Sequence, residues 1–288
     1  MSIILQQQSE KITEKIPSLL LMANKVAAAI LQGLHGKKRS GIGEAFWQFR
    51  QYQLGDSPRH IDWRKSAKTE SLYIKEKEWS VTQTIWLWCD VSDSMNYHSL
   101  IKLPSKKERA QLILLALAIL FARSGEKIAL LGSSFKPNIG RYAVHNIAKE
   151  LMNYKNNQLD LFSNLSKNSQ VILIGDFLQD LNDLEKECQV LANKNIKVYL
   201  IQIIDPVEEE LPFEGRIQFQ DMEQDKKVMF ERVQSIREQY QKKFYSHRAQ
   251  IQQLAQKWGW DFLIHRTDHR PEMILLTLYQ QFTDHYKI

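Results

Sequence analysis

Cysteine is scarce, with two residues in 288, Cys89 and Cys188. A disulfide framework is therefore excluded, and two thiols cannot by themselves complete a four-ligand zinc site. Cys89 lies in an apolar run and Cys188 in a helix-like segment, so they read as unrelated buried thiols. Glycine (11) and proline (7) are also few, which removes collagen-like, linker-dominated and many-turned all-β architectures. The longest unbroken apolar run, Leu112–Ala122, falls far short of the roughly 20 residues that span a bilayer. Neither sign of charge dominates: 39 basic residues face 33 acidic ones, a formal +6 that permits an anionic partner without requiring one. The N-terminus carries Glu10, Lys11, Glu14 and Lys15 before any apolar stretch, unlike a signal peptide. Together these absences lead us to expect a soluble protein of a reducing, cytoplasmic compartment. No G-x-x-x-x-G-K-[ST] is present, nor a G-x-G-x-x-G opening a helix after a strand, so the common nucleotide sites are unsupported.

What is present is ordinary globular composition, 43% hydrophobic and 25% charged, in a length suited to one large or two small domains. Apolar residues over 9–34 recur at Ile12, Ile16, Leu19, Leu20, Val26, Ala27, Ile30 and Leu31, the spacing of one or two amphipathic helices with Pro17 at a helix start. A basic loop with glycines follows at 35–43, then a turn at Gly55-Asp56-Ser57-Pro58. Strand-like alternation over Leu72–Lys77 and the β-rich run Thr84–Cys89 open a strand–helix alternation. Helices are expected at Lys106–Arg123, Ala143–Met152 and Leu181–Asn193, and strands at Ile128–Leu131, Val171–Ile174 and Val198–Ile204. A long polar helix from about Lys226 to Trp258, a strand at Asp261–His265 and a helix after Pro271 complete the pattern. Continuous apolar strands between amphipathic helices mean a mostly parallel sheet covered on both faces. We expect a doubly wound α/β domain over 81–288, with an N-terminal helical and β extension over 1–80 packed on it.

In such sheets ligands bind beyond the carboxyl ends of the strands, and three of these ends are acidic: Asp90, Asp176 and Asp205. Asp90-Val91-Ser92-Asp93-Ser94 sets one carboxylate and two hydroxyls in a tight loop, hard oxygen ligands for Mg²⁺ or Mn²⁺. Asp176 would support the same cation through water. Equally, Asp90, Ser92 and Ser94 could do no more than cap the loop and the helix beyond it.

The D-x-S-x-S loop, the strand order and Asp176 resemble the von Willebrand factor A fold and its metal-ion-dependent adhesion site. The segment Gly41–Arg64 with Ser66-Ala67, followed by Asp90–Met95, resembles the bacterial family called domain of unknown function 58. Its specific element is G-D-x-x-R-x-I-D-W, here Gly55, Asp56, Arg59, Ile61, Asp62 and Trp63; Asp205–Arg216 is also similar. The resemblance implies a non-enzymatic adaptor or chaperone-like role beside a MoxR-type AAA+ ATPase, with the metal face binding a partner. It also makes Asp56, Arg59, Asp62, Trp63 and Arg64 candidate partner-binding residues. One departure stands out. The threonine that such adhesion sites take from the loop before the second long helix has no counterpart in 136–142, where Arg141 lies near the expected place. A guanidinium there would pair with Asp90 or Asp176 and substitute for the cation's charge.

Competing readings are weaker. The carboxylates among Asp56, Arg59, Asp62 and Arg64 suggest a Mg²⁺ phosphoesterase, but no Lys or His is spaced to serve as its base. Lys37-Lys38-Arg39 and the tract at Lys242, Lys243, His247 and Arg248 could meet phosphates, yet solvated faces explain them as well, so nucleic acid is not the expected partner. Trp86 and Trp88 alternate on a strand and belong to the core. Trp63 is expected to pack, with a place near the metal face as the alternative.

Overall fold

The computed structural model describes residues 17–31, 46–53, 56–58, 61–69, 71–77, 84–153, 162, 165–166, 169–220, 222 and 227–285. The chain divides into two compact units, Leu34–Thr82 and a larger one of Met1–Gly33 with Gln83–Ile288. The helix over 17–31 (α1) thus groups with the larger unit and not with the rest of segment 1–80. It buries Leu19, Ala23, Val26, Ala27 and Ile30, one helical stripe, and Arg123 donates to Asn24 Oδ1 on its flank (3.4 Å).

In the small unit β1 (Phe46–Gln51) pairs antiparallel with β2 (Tyr73–Lys77). A short helix, α2 (Trp63–Ser66), is capped by Asp62, which accepts from Lys65 N. Ser66 Oγ accepts from Tyr73 N (2.9 Å) and ties α2 to β2.

The larger unit holds a five-stranded sheet in the order β4-β3-β5-β6-β9. Its strands are β3 (Thr84–Cys89), β4 (Lys127–Leu130), β5 (Gln170–Gly175), β6 (Lys197–Ile204) and β9 (Asp261–Arg266), all paired in parallel. This is the expected doubly wound, parallel sheet. Period-2 alternation divides its side chains between two layers. Trp86, Val171, Leu173, Val198 and Leu200 share a core with Leu184, Cys188 and Leu191 of α5 (Leu181–Asn193) and with Ile251 and Ala255 of α7 (Arg237–Lys257). On the opposite parity, Tyr199 stacks on Phe282 of α8 (Pro271–His285) at 4.2 Å, and Phe282 meets Phe121 of α3 (Lys106–Arg123) at 4.8 Å. Each such apolar side chain contributes roughly 1.5–3 kcal/mol when fully buried. Both cysteines are buried free thiols; burial pushes Cys188 up to about 12 and Cys89 higher still.

The chain leaves β3 for β4 on one side, by way of α3, and then returns past β3 to β5 by way of α4 (Gly140–Asn153). The winding therefore reverses between β3 and β5, where an open α/β sheet leaves its ligand crevice.

The second half departs from expectation between 206 and 237. The polar segment read as one helix from Lys226 is helical only over Arg237–Lys257. Before it, β7 (Ile217–Gln220) and β8 (Lys227–Phe230) form an antiparallel pair. Val228-Met229-Phe230 favours a strand, and Ile236 at the helix start offers no side-chain cap to mark the boundary. A short helix, α6 (Pro206–Glu210), follows β6 with a capping box of Asp205 and Glu208. Among the described residues no helix is long and apolar enough to cross a membrane.

Candidate functional site

Asp90 and Asp176 follow β3 and β5 directly, and because those strands pair, Cys89 opposite Ile174, the two loops lie side by side at the reversal. Asp90 N donates to Ile174 O (2.8 Å), which fixes the loop's exit from the sheet. The chain then turns sharply: Ser92 N donates to Asp90 Oδ1 (2.9 Å), and a single 3-10 turn, Asp93–Asn96, carries Ser94 back towards the strands. The fully buried Met95 anchors that turn from below.

The hydroxyls of Ser92 and Ser94 stand 3.0 Å apart, and Ser94 Oγ donates to Asp176 Oδ2 (2.7 Å). All four residues predicted as a metal group are thus brought together, Ser94 and Asp176 from positions 82 apart in sequence. Asp176 is held from several sides. Its backbone oxygen accepts from Gln202 Nε2 (3.0 Å) and its Oδ1 from Leu178 N (3.3 Å). Phe177 beyond it adopts a left-handed φ of 52°, a strained conformation for a residue with a side chain. Burial of the Phe177 ring and a hydrogen bond between its carbonyl and His247 Nε2 (2.8 Å) hold it there.

The residue that sequence reasoning missed is Lys106. Its side chain is fully buried, and Nζ donates to Asp176 Oδ2 (2.9 Å) and Glu208 Oε1 (2.5 Å). Burial opposes the charge, but Asp176 and Glu208 outweigh it and hold the ammonium above the ordinary lysine range. Glu208 Oε2 in turn accepts from Asp205 N (2.9 Å), and Tyr240 of α7 donates to Glu208 O (2.6 Å). Asp205, also fully buried, accepts from Ser99 N (3.0 Å) and Val207 N (2.9 Å), so the third acidic strand end braces the loop that carries the serines. A signal for Lys106 did exist. A lysine at the first position of a helix opposes the helix dipole, which favours a carboxylate there, so its charge needs partners elsewhere.

Arg141, the sequence candidate for a compensating cation, is exposed in the first turn of α4. The cation beside Asp176 comes from α3 instead. Ser133 and Ser134 do not reach the D-x-S-x-S loop: one hydroxyl accepts from Phe135 N and the other donates to Glu150.

The donor set, one carboxylate and two hydroxyls, is of the chemical kind that a hard divalent ion takes. Mg²⁺ bonds oxygen at about 2.1 Å in an octahedron, whose edges are then about 3.0 Å; the two hydroxyls stand at that spacing, which is also that of the hydrogen bond joining them. Asp90 would be the charged ligand, and Asp176, already bonded to Ser94, would orient water. Among the described residues no group of three or more His, Cys, Asp or Glu is arranged to hold a metal; this site has a different make-up, one carboxylate with two hydroxyls.

The residues of the G-D-x-x-R-x-I-D-W element belong to the small unit. Asp56 takes both guanidinium nitrogens of Arg50 (3.0 Å each) and Gln53 N (2.8 Å), locking the turn after β1. Asp62 caps α2. These carboxylates have structural work within the small unit. Trp63, expected to pack, is 65% exposed, and Arg64 beside it is exposed too. Arg59 lies outside the described residues, as do Lys37-Lys38-Arg39. Of the second basic tract, Arg248 pairs with Glu209 (2.8 Å) and lies over the rings of Phe244 and Tyr245.

The family described as Protein of unknown function DUF58 has a model that matches residues 48–250. The chain belongs to this family. It is 22% identical over 275 residues to uncharacterized proteins of Mycobacterium bovis and Mycobacterium tuberculosis, covering 90% of this chain and 86% of each relative. Among solved structures it is similar to BatB from Bacteroides thetaiotaomicron (14% identity, TM-score 0.41). A second is an aerotolerance-related membrane protein from Bacteroides fragilis (12% identity, TM-score 0.43). Each match covers 70% of this chain and 99% of the other.

Proposed function

We propose that this DUF58 protein is a non-enzymatic interaction module that binds a protein partner at the carboxyl end of its parallel sheet. The observation that carries the reading is the convergence of Asp90, Ser92, Ser94 and Asp176 at the reversal between β3 and β5. Mg²⁺ or Mn²⁺ bound there would supply a Lewis-acidic position for a carboxylate of the partner. The chain's own residues do the rest. Asp90 and the two hydroxyls face the ion, Asp176 orients Ser94, and Leu100, Ile101 and Leu178 expose apolar surface on the loops that follow β3 and β5. The family resemblance makes a MoxR-type AAA+ ATPase the partner to seek.

The exposed Trp63-Arg64 pair favours a second reading, a metal-independent scaffold that binds through the small unit. Affinity purification of the tagged protein from its own cells, run in parallel with Mg²⁺ and with EDTA, separates the two. We expect the ATPase to be recovered with Mg²⁺ and lost with EDTA, and lost equally from an Asp90→Ala protein that retains its near-UV circular dichroism. Recovery that survives EDTA and Asp90→Ala but fails after Trp63→Ala moves the site to the small unit.

A further inference from the structure

We infer that Lys106 sets the divalent-ion affinity of the D-x-S-x-S site, holding it low by occupying the carboxylate that would otherwise support the ion. This rests on the reading of Asp90, Ser92 and Ser94 as cation ligands.

The geometry places ammonium and hydroxyl on one atom: Lys106 Nζ and Ser94 Oγ both donate to Asp176 Oδ2, at 2.9 and 2.7 Å. Asp176 is therefore not a full negative charge as seen from the serines, because a unit positive charge sits one hydrogen bond behind it. Like charges so close in a buried setting repel strongly, since little water screens them. Nor can Lys106 swing aside. Its side chain is fully enclosed, and Glu208, fixed by its bond to Asp205 N, holds the ammonium from the other side. Glu208 belongs to α6, whose next residue, Glu209, is gripped by Arg248 (2.8 Å) and Arg266 (3.1 Å). The whole arrangement anchors the ammonium where it opposes a second cation.

The test is Mn²⁺ binding by the full chain, read from the electron paramagnetic resonance signal of free aqueous Mn²⁺ and checked by Mg²⁺ competition. The informative variant is Lys106→Met with Glu208→Gln. It removes one positive and one negative charge together, so net charge is unchanged and only the hold on Asp176 is released. We expect millimolar Mn²⁺ binding in the wild type, at least tenfold tighter binding in the double variant, and loss of binding in both backgrounds on adding Asp90→Ala. If the methionine variant does not fold, Lys106→Gln with Glu208→Gln keeps hydrogen-bonding groups at both positions and must show the same gain. Equal affinity in wild type and folded double variant overturns the role of Lys106 while the cation reading stands. Binding that is undetectable in all forms, or indifferent to Asp90→Ala, overturns the cation reading and this inference with it.

Discussion

A Cβ added at Gly175 would lie 3.0 Å from Asp90 Cβ and 3.5 Å from Asp90 Oδ2, so β5 passes the Asp90 loop at a distance that a residue without a side chain allows. The neighbour that would have to give way is the proposed anionic ligand itself. Gly175→Ala should therefore displace Asp90 by a few tenths of an ångström and weaken Mn²⁺ binding several-fold. Overpacking should also cost about 1–3 kcal/mol of stability, measured by urea unfolding. Unchanged Mn²⁺ affinity in a folded Gly175→Ala protein would show that Asp90 does not meet the ion. At this scale the sequence was informative where chemistry and position coincided. Asp90, Ser92 and Ser94 follow a run of β-prone apolar residues, and Asp176 follows another, so both carboxylates could be assigned to strand ends before any coordinates. For Lys106 the one local signal was a cation at a helix start; its partners, Asp176 and Glu208, lie 70 and 102 positions away, beyond the reach of any local pattern. Arg141 attracted notice by its loop, but no local pattern reports which long basic side chain folds inward.

At the scale of elements, α3 connects the site to the core. Its first turn holds Lys106, and over 110–121 every residue except Leu112 is buried. The turn is fixed by a reciprocal capping box: Glu108 N donates to Ser105 Oγ (3.2 Å) and Ser105 N donates to Glu108 Oε2 (3.0 Å). Ser105→Ala should cost about 1 kcal/mol of unfolding free energy. The same change should loosen the loop between Ser94 and the helix, visible as faster amide exchange over 97–107 with β3 unaffected; equal exchange there would mean that Tyr97 O, which accepts from Lys106 N (3.1 Å), is a sufficient anchor. The expected boundaries of β3, α3 and α5 coincide with the observed ones, because a continuous apolar strand, a helix-length apolar run between charged ends (α3) and a helix with an apolar stripe (α5) each carry their own signal. The β7–β8 pair and α6 lacked such a period. Four-residue strands with mixed exposure and a five-residue helix bury too little for a pattern to form.

Stability of the whole molecule against acid draws on a different cluster. His265, on the edge strand β9, is 3% exposed, and its Nε2 is buried without a hydrogen-bond partner. Burial lowers its pKa to about 3; Arg109 and His269 push the same way, while Asp268 opposes them. A histidine in an unfolded chain takes up its proton near pH 6.5. Between roughly pH 6.5 and 3 the unfolded chain therefore binds a proton that the folded one refuses, and folding stability declines as the pH falls through that window. The slope from this one residue approaches about 1.4 kcal/mol per pH unit once the unfolded histidine is fully charged. Carboxylates add their own acid dependence, so the wild-type curve alone is not diagnostic; its difference from a His265→Leu variant is. Leucine is close in volume and cannot titrate. Unfolding free energies from urea titrations at pH 7.0, 5.5 and 4.5 should fall more steeply for the wild type, with the two curves separating by about 2.5 kcal/mol over that range beyond any offset at pH 7.0. Parallel curves would mean that the folded protein admits a proton at His265, by water entry between α3 and α8 or by movement of Arg109, whose Nη2 donates to Thr267 O (2.7 Å).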